Sequence, residues 1–162
     1  MATPKPQIRS AFPTPICVHY LPVAVEVNAE LRPLVVERMQ TAGAIPENGT
    51  GWRSQPDLES WGTIGAPALF RMLRELADGM TSTRAGGRVS LEWNIAAFAE
   101  VRRKEEGLAA STHPGAFWAG AYFVDDGYGK SDDETLGGEC EVKDPRGTLP
   151  ADLPPHLGFR VP

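Results

Sequence analysis

The chain has 162 residues, of which 41% are hydrophobic and 23% charged, so it is long enough for one domain with its own core and too apolar for general disorder. Its 16 Lys and Arg residues against 21 Asp and Glu residues give a net charge of −5, which argues against a surface that binds nucleic acid. No apolar run is long enough to predict a membrane span, and the proline-rich start does not read as a signal peptide. Two cysteines are too few for a disulfide framework, so a cytoplasmic location is expected.

Two helices are predicted in the N-terminal half. Residues 23–39 have apolar side chains at helical spacing, with Pro33 inside the pattern, where it removes one backbone hydrogen bond. Residues 67–78 make the better helix, because proline suits its first position, Gly79 follows its end and leucines form an apolar stripe. Ahead of both, residues 12–21 are apolar, but prolines limit them to an edge strand at best.

Residues 41–63 form a predicted loop, rich in Gly and Pro, that contains Trp52 and Trp61. Aromatic side chains in such a loop more often fix it to the body of the protein than bind a ligand. We therefore expect both indoles to pack against the rest of the domain.

The C-terminal half changes to the period of a strand. Apolar residues take the odd positions of residues 88–102, residues 117–124 are apolar at both parities, and residues 139–143 alternate again. A strand that is apolar on both sides belongs in the inner layer of a sandwich or barrel. The prediction is a single domain, with an N-terminal strand and helices in residues 1–87, strands in residues 88–147 and a Pro-rich tail in 148–162. Three strands alone are too few to close a barrel.

His113 is the leading candidate for chemistry among the three histidines. It stands in a turn before the most hydrophobic strand, where a ring nitrogen can point into a cavity; the alternative is that it only completes the turn. The motifs of nucleophile elbows, zinc proteases and phosphate loops are absent. The acidic clusters at 125–126 and 132–134 fit either a solvated loop or a site for a hard cation.

Residues 113–125 read His-Pro-Gly-Ala-Phe-Trp-Ala-Gly-Ala-Tyr-Phe-Val-Asp. This segment resembles the His-Pro-Gly-Ala-x-Trp-Ser-Gly-Val-Tyr-Tyr-Val-Asp strand of a family of Fe(II)/2-oxoglutarate-dependent oxygenases. Shorter matches follow in the family's order at residues 12–16, 28–31, 51–58, 137–139 and 144–147. The resemblance therefore runs from residue 12 to residue 147, and the combination is more specific than any single piece.

The resemblance implies an α+β fold that is mainly antiparallel β, namely a double-stranded β-helix, or jelly-roll, with the N-terminal helices packed outside. It also implies iron held by two histidines and one carboxylate, with open positions for 2-oxoglutarate and O₂, and oxidation of a substrate, usually hydroxylation. On this basis His113 is the candidate Fe(II) ligand, and Tyr122 is the candidate contact to 2-oxoglutarate.

The sequence departs from the family at two places. Ser111 stands where the family often has a further histidine, and a hydroxyl is a poor substitute for an imidazole on iron. The family's later strands and distal histidine follow the Asp-Pro-Arg turn, whereas this sequence ends at Pro162, so a jelly-roll incomplete at its C-terminus is expected. The prediction is a dioxygenase, truncated and inactive as it stands, whose substrate is unidentified.

Two other functions stay open at this point. One is a non-enzymatic binding or remnant jelly-roll protein without a complete metal site. The other is an unrelated metal-binding cupin, which would need a second histidine near His113. Because an open sheet edge recruits other chains, a homodimer is also expected.

Overall fold

The structure is a computed structural model that describes residues 14–41, 45–47, 50–82, 86–103, 105–127, 140–143 and 156–159. In chain order these ranges contain α1 (Ala24–Thr41), β1 (Ile45–Glu47), β2 (Thr50–Arg53), a 3-10 helix (Leu58–Trp61), α2 (Ala66–Met80), β3 (Glu100–Val101), β4 (Cys140–Lys143) and β5 (His156–Phe159). An antiparallel sheet has the order β1-β2-β3, and β4 and β5 pair separately, also antiparallel. Within the described ranges no helix is both long and apolar enough to cross a bilayer.

The two predicted helices are confirmed. α1 begins one residue later and ends two residues later than the spacing predicts, and it keeps Pro33 in its interior. α2 is longer than predicted at both ends, so Gly79 lies inside the helix and not after its end. Each helix forms where apolar residues recur at helical spacing. In α2 a proline at the start also suits the first turn.

The N-terminus of α2 packs directly against α1. The carboxylate of Glu30 accepts the backbone N–H groups of Ile64, at 2.9 Å, and of Gly65, at 2.5 Å. These groups lie at the start of a helix, where N–H donors lack partners within the helix and a negative charge is favourable. A side chain at Gly65 would meet the Cα atom of Val27 at 3.2 Å, so the absence of a Cβ permits this close approach.

The core consists of two clusters that share the helices. The first joins both helices to β2, to the 3-10 helix and to the residue before β3. Its buried members are Val35, Trp52, Leu58, Trp61, Ala66, Phe70 and Ala99. The second lies between α1, α2 and the segment preceding α1, and its buried members are Leu21, Val27, Leu31, Leu69 and Met72. The two tryptophans of the predicted loop are thus buried as expected, and Trp61 also donates its indole N–H to Asp57 at 2.8 Å.

The prediction that residues 41–63 form only a loop is wrong. They include β1, β2 and the 3-10 helix, and β2 pairs with β3 so that Trp52 lies opposite Val101. Gly51 has φ +73°, and a Cβ at this position would come within 2.7 Å of the Val101 carbonyl oxygen. The glycine at position 51 therefore permits the close pairing of the β2 and β3 backbones.

The predicted jelly-roll is wrong for the described part of the chain. Within residues 88–102 only Glu100–Val101 is a strand, and Arg88 and Ala97 form isolated bridges to Ser82 and Asp57. The alternation still shows which side faces inward: Ala99 is buried and Ile95 half-buried, whereas Leu91, on the same side, is 42% exposed. Alternation specifies an extended backbone and an inner face, but it supplies no neighbouring strand with which to form a ladder.

Residues 117–124 also contradict the jelly-roll, because they do not form a strand. Phe117 is 68% exposed and Phe123 is 38% exposed, whereas an inner strand would bury both. An inner strand needs a layer on each face, and the described residues pack only one side of this segment. Of the predicted edge strand at residues 12–21, residues 14–20 are likewise exposed and without regular structure, Leu21 is buried, and residues 12 and 13 lie outside the described ranges.

The last predicted strand is confirmed. β4 has Cys140 and Val142 half-buried and Glu141 and Lys143 exposed, which is the predicted alternation. It pairs with β5, in a stretch where the sequence shows no period. Glu139 and the predicted turn at residues 144–147 lie outside the described residues.

Candidate functional site

His113 lies on the surface, at the beginning of a tight turn. Its carbonyl oxygen accepts the N–H of Ala116 at 3.1 Å. Pro114 and Gly115 occupy the two central positions, and the φ of +88° at Gly115 is the left-handed conformation that the third position of a type II turn requires. His113 is exposed to water, so the expectation that its ring nitrogen points into a cavity is not met.

Ser111 supports the same turn. Its hydroxyl oxygen accepts the backbone N–H of His113 at 3.3 Å. His113 itself has φ +45°, a conformation that costs energy for a residue with a side chain. The serine at the position of the family's other histidine therefore has a local structural role, which a small hydroxyl side chain can fill.

Tyr122 is half-buried and points toward α1. Its hydroxyl donates a hydrogen bond of 2.7 Å to Oδ1 of Asn28, and its ring packs against the second core cluster. Burial raises the pKa of Tyr122 above the usual value of a phenol, so the side chain stays neutral and can donate at neutral pH. The donor that would contact 2-oxoglutarate by resemblance is used here to hold the segment on the helix.

Asp125 provides a second attachment to α1. Its carboxylate pairs with the Arg32 guanidinium and accepts the N–H of Gly127 at 2.8 Å. The hydrogen bond from Gly127, followed by that from Arg32, holds the pKa of Asp125 below its usual range. Because Asn28 and Arg32 are four residues apart on α1, the helix presents both partners on one face.

A third set of contacts fixes the beginning of the segment to the end of α2. The indole N–H of Trp118 donates to Oγ1 of the buried Thr81 at 2.9 Å, and that of Trp93 donates to Oδ1 of Asp78 at 2.6 Å. The ring of Phe117 contacts both indoles, with centroid distances of 5.7 Å and 5.8 Å. None of these partners was predicted from the sequence. Asn28 and Arg32 are four residues apart and lie on one face of α1, whereas Asp78 lies in the last turn of α2 and Thr81 follows its end.

The described residues do not fit a complete iron site of the facial-triad type. In these ranges, no three side chains of His, Cys, Asp or Glu lie together in an arrangement that could hold a metal ion. His113 is exposed, Ser111 is bonded to the turn, and Asp125 is paired with Arg32. Such a site needs two imidazoles and a carboxylate around open positions, so these side chains do not support a catalytic step through iron.

Comparison of the chain with protein-family models, with curated proteins and with solved structures finds no match.

Proposed function

We propose that the chain is an Fe(II)/2-oxoglutarate-dependent dioxygenase by descent and that His113 is its one remaining iron ligand. With this ligand alone the chain binds Fe(II) too weakly to turn over 2-oxoglutarate. The observation that carries the proposal is the turn at His113, whose Pro-Gly pair and exposed imidazole precede a segment that reads like the family's iron-binding strand. When bound, iron in this family oxidises a substrate at the expense of 2-oxoglutarate and O₂.

The low affinity follows from the number of imidazoles. The chain has three histidines, and Ser111 stands at the position of the second one in the family's motif. A metal site in water depends on several deprotonated ligands held together, and removal of even a supporting hydrogen bond costs about 10–100-fold in affinity. Loss of a direct ligand should cost at least as much.

The experiment restores the missing ligand. The full chain, Ser111→His and Thr112→His are titrated with Fe(II) under anaerobic conditions, and succinate release is then measured with 2-oxoglutarate and O₂. Ser111→His should bind Fe(II) at least about tenfold more tightly than the unaltered chain. Thr112→His adds the same imidazole at the neighbouring exposed position and should change the affinity much less.

The outcomes separate the parts of the proposal. Equal affinities for the two histidine variants would show that His113 is not part of a ligand set. If the unaltered chain releases succinate and His113→Ala does not, the oxygenase assignment holds and the predicted loss of activity is wrong.

A non-enzymatic binding role is the second candidate, and the exposed rings of Phe117 and Phe123 favour it. Residues 116–124 contain no charged side chain, although the whole chain carries a net charge of −5. A second copy of the chain is the proposed partner, since two such segments can meet without bringing like charges together. Light scattering tests this role, because loss of an exposed ring from the segment should then shift the chain toward monomer.

A further inference from the structure

A cavity of about 230 Å³ lies between α2 and the segment that leads into α1. Four residues of α2 line one side of it at the spacing of a single helix face: Ala68, Arg71, Met72 and Glu75. The segment before α1 provides the opposite wall, which includes His19 and Leu21. None of these residues takes part in the turn at His113 or in the hydrogen bonds of residues 117–127 described above.

The cavity combines an apolar base with two opposite charges. Leu21 and Met72 are 8% and 9% exposed and belong to the second core cluster. The side chains of Arg71 and Glu75 are 75% and 71% exposed, and Arg71 Nε lies 4.0 Å from Glu75 Oε1. An ion pair that is this exposed contributes little stability, so the two groups can turn toward a ligand at little cost.

We propose that this cavity binds a free α-amino acid with an apolar side chain. Its carboxylate faces Arg71, its ammonium group faces Glu75, and its side chain lies against Leu21 and Met72. The two charges of an α-amino acid are joined through a single carbon, so one molecule can reach both side chains, which are themselves neighbours on one helix face. His19 adds a third polar side chain, from the segment before α1.

The charges decide the class of ligand. An anion alone would meet the repulsion of Glu75, and an amine alone would meet that of Arg71, whereas a zwitterion pairs with both. A residue within a peptide lacks one or both of these charges and would be bound less well. The volume is below the roughly 300–1,000 Å³ of sites for drug-sized molecules, and it therefore suits a ligand as small as a single amino acid.

The test measures binding of L-leucine to the full chain by calorimetry or by ligand-observed NMR. Three related compounds separate the contributions: 4-methylpentanoate lacks the amine, 3-methylbutylamine lacks the carboxylate, and glycine lacks the side chain. Leucine should bind saturably, and each of the three should bind at least about tenfold more weakly. Absence of saturable leucine binding, or equal binding of either compound with a single charge, would overturn the proposal.

Variants locate the site. Arg71→Gln should weaken leucine binding by about tenfold, whereas Arg74→Gln removes the same charge at a position that does not line the cavity, where Arg74 pairs with Glu59, and should leave it unchanged. Ala68→Leu should fill the cavity and abolish binding. If Ala68→Leu fails to fold, the comparison of the two arginine variants decides: equal effects of both would show that leucine binds elsewhere.

Discussion

The hydroxyl group of Tyr122 donates a hydrogen bond of 2.7 Å to Oδ1 of Asn28, which is 94 residues earlier in the chain. This bond and the ion pair between Arg32 and Asp125 connect the segment after His113 to successive turns of α1. The part of the chain that most resembles an oxygenase is therefore held by side-chain contacts to a helix, where the family would hold it in a sheet.

Removal of the Tyr122 hydroxyl should destabilise the fold. In Tyr122→Phe the ring still packs on the core, but the Asn28 amide loses a half-buried partner. The free energy of unfolding should fall by about 1 kcal/mol, the usual net value of such a hydrogen bond. Urea unfolding measures the change. Tyr20→Phe, at a position 66% exposed, is the control, and an equal loss in both variants would show that the bond contributes nothing.

The Asp125 carboxylate should make stability depend on pH in the acid range. Its pKa is lower in the folded chain than in the unfolded chain, first through the Gly127 N–H and then through Arg32. The unfolded chain therefore binds the proton more readily, so this contribution is present above the ordinary value near 3.8 and is lost as the pH falls through the folded pKa.

Asp125→Asn tests that dependence. The variant should be less stable than the unaltered chain at pH 7. The difference in urea midpoint should shrink as the pH falls below the ordinary value near 3.8, where the unfolded chain takes up the proton first. Because Asp125 is partly exposed, salt should reduce the effect. Glu92→Gln, which removes an exposed carboxylate, is the control. A difference between Asp125→Asn and the unaltered chain that stays constant with pH would contradict the assignment.

Two glycines of the α2 region should respond in opposite directions to the same substitution. In Gly65→Ala the new Cβ would lie 2.8 Å from Oε2 of Glu30 and 3.2 Å from Cα of Val27, so α1 must move or Glu30 must release the helix N-terminus. We expect a loss of about 1–3 kcal/mol. Gly79, inside α2, has no atom within 4 Å of the added Cβ, and Gly79→Ala should stabilise the chain by about 0.5–1 kcal/mol.

Thermal unfolding of the two variants decides this prediction, since each serves as the control for the other. A loss of stability in both would mean that the added methyl group harms α2 wherever it is placed. A gain in both would mean that Gly65 does not lie against α1.

The features that were predictable from sequence are those fixed by neighbours in the chain. Both helices follow from apolar residues at helical spacing, and the start of α2 follows from its proline. The turn at His113 follows from its Pro-Gly pair. The jelly-roll was wrong because alternation in residues 88–102 defines an inner face without defining a partner strand. Tyr122 was assigned to a cosubstrate by resemblance, and nothing local indicates that its partner is Asn28, on a helix 94 residues away.

The exposed aromatic segment should make the chain self-associate. Phe117 is 68% exposed beside the half-buried rings of Trp93 and Trp118, and residues 116–124 carry no charge that would keep two copies apart. Exposed apolar surface of this kind favours association, because each contact removes it from water. Multi-angle light scattering should therefore find dimers or larger species at high concentration. Phe117→Ser should shift the population toward monomer, whereas Ile64→Ser, which changes a residue 90% exposed elsewhere on the surface, should not. A monomer at high concentration, or the same shift in both variants, would show that this segment is not the contact between copies.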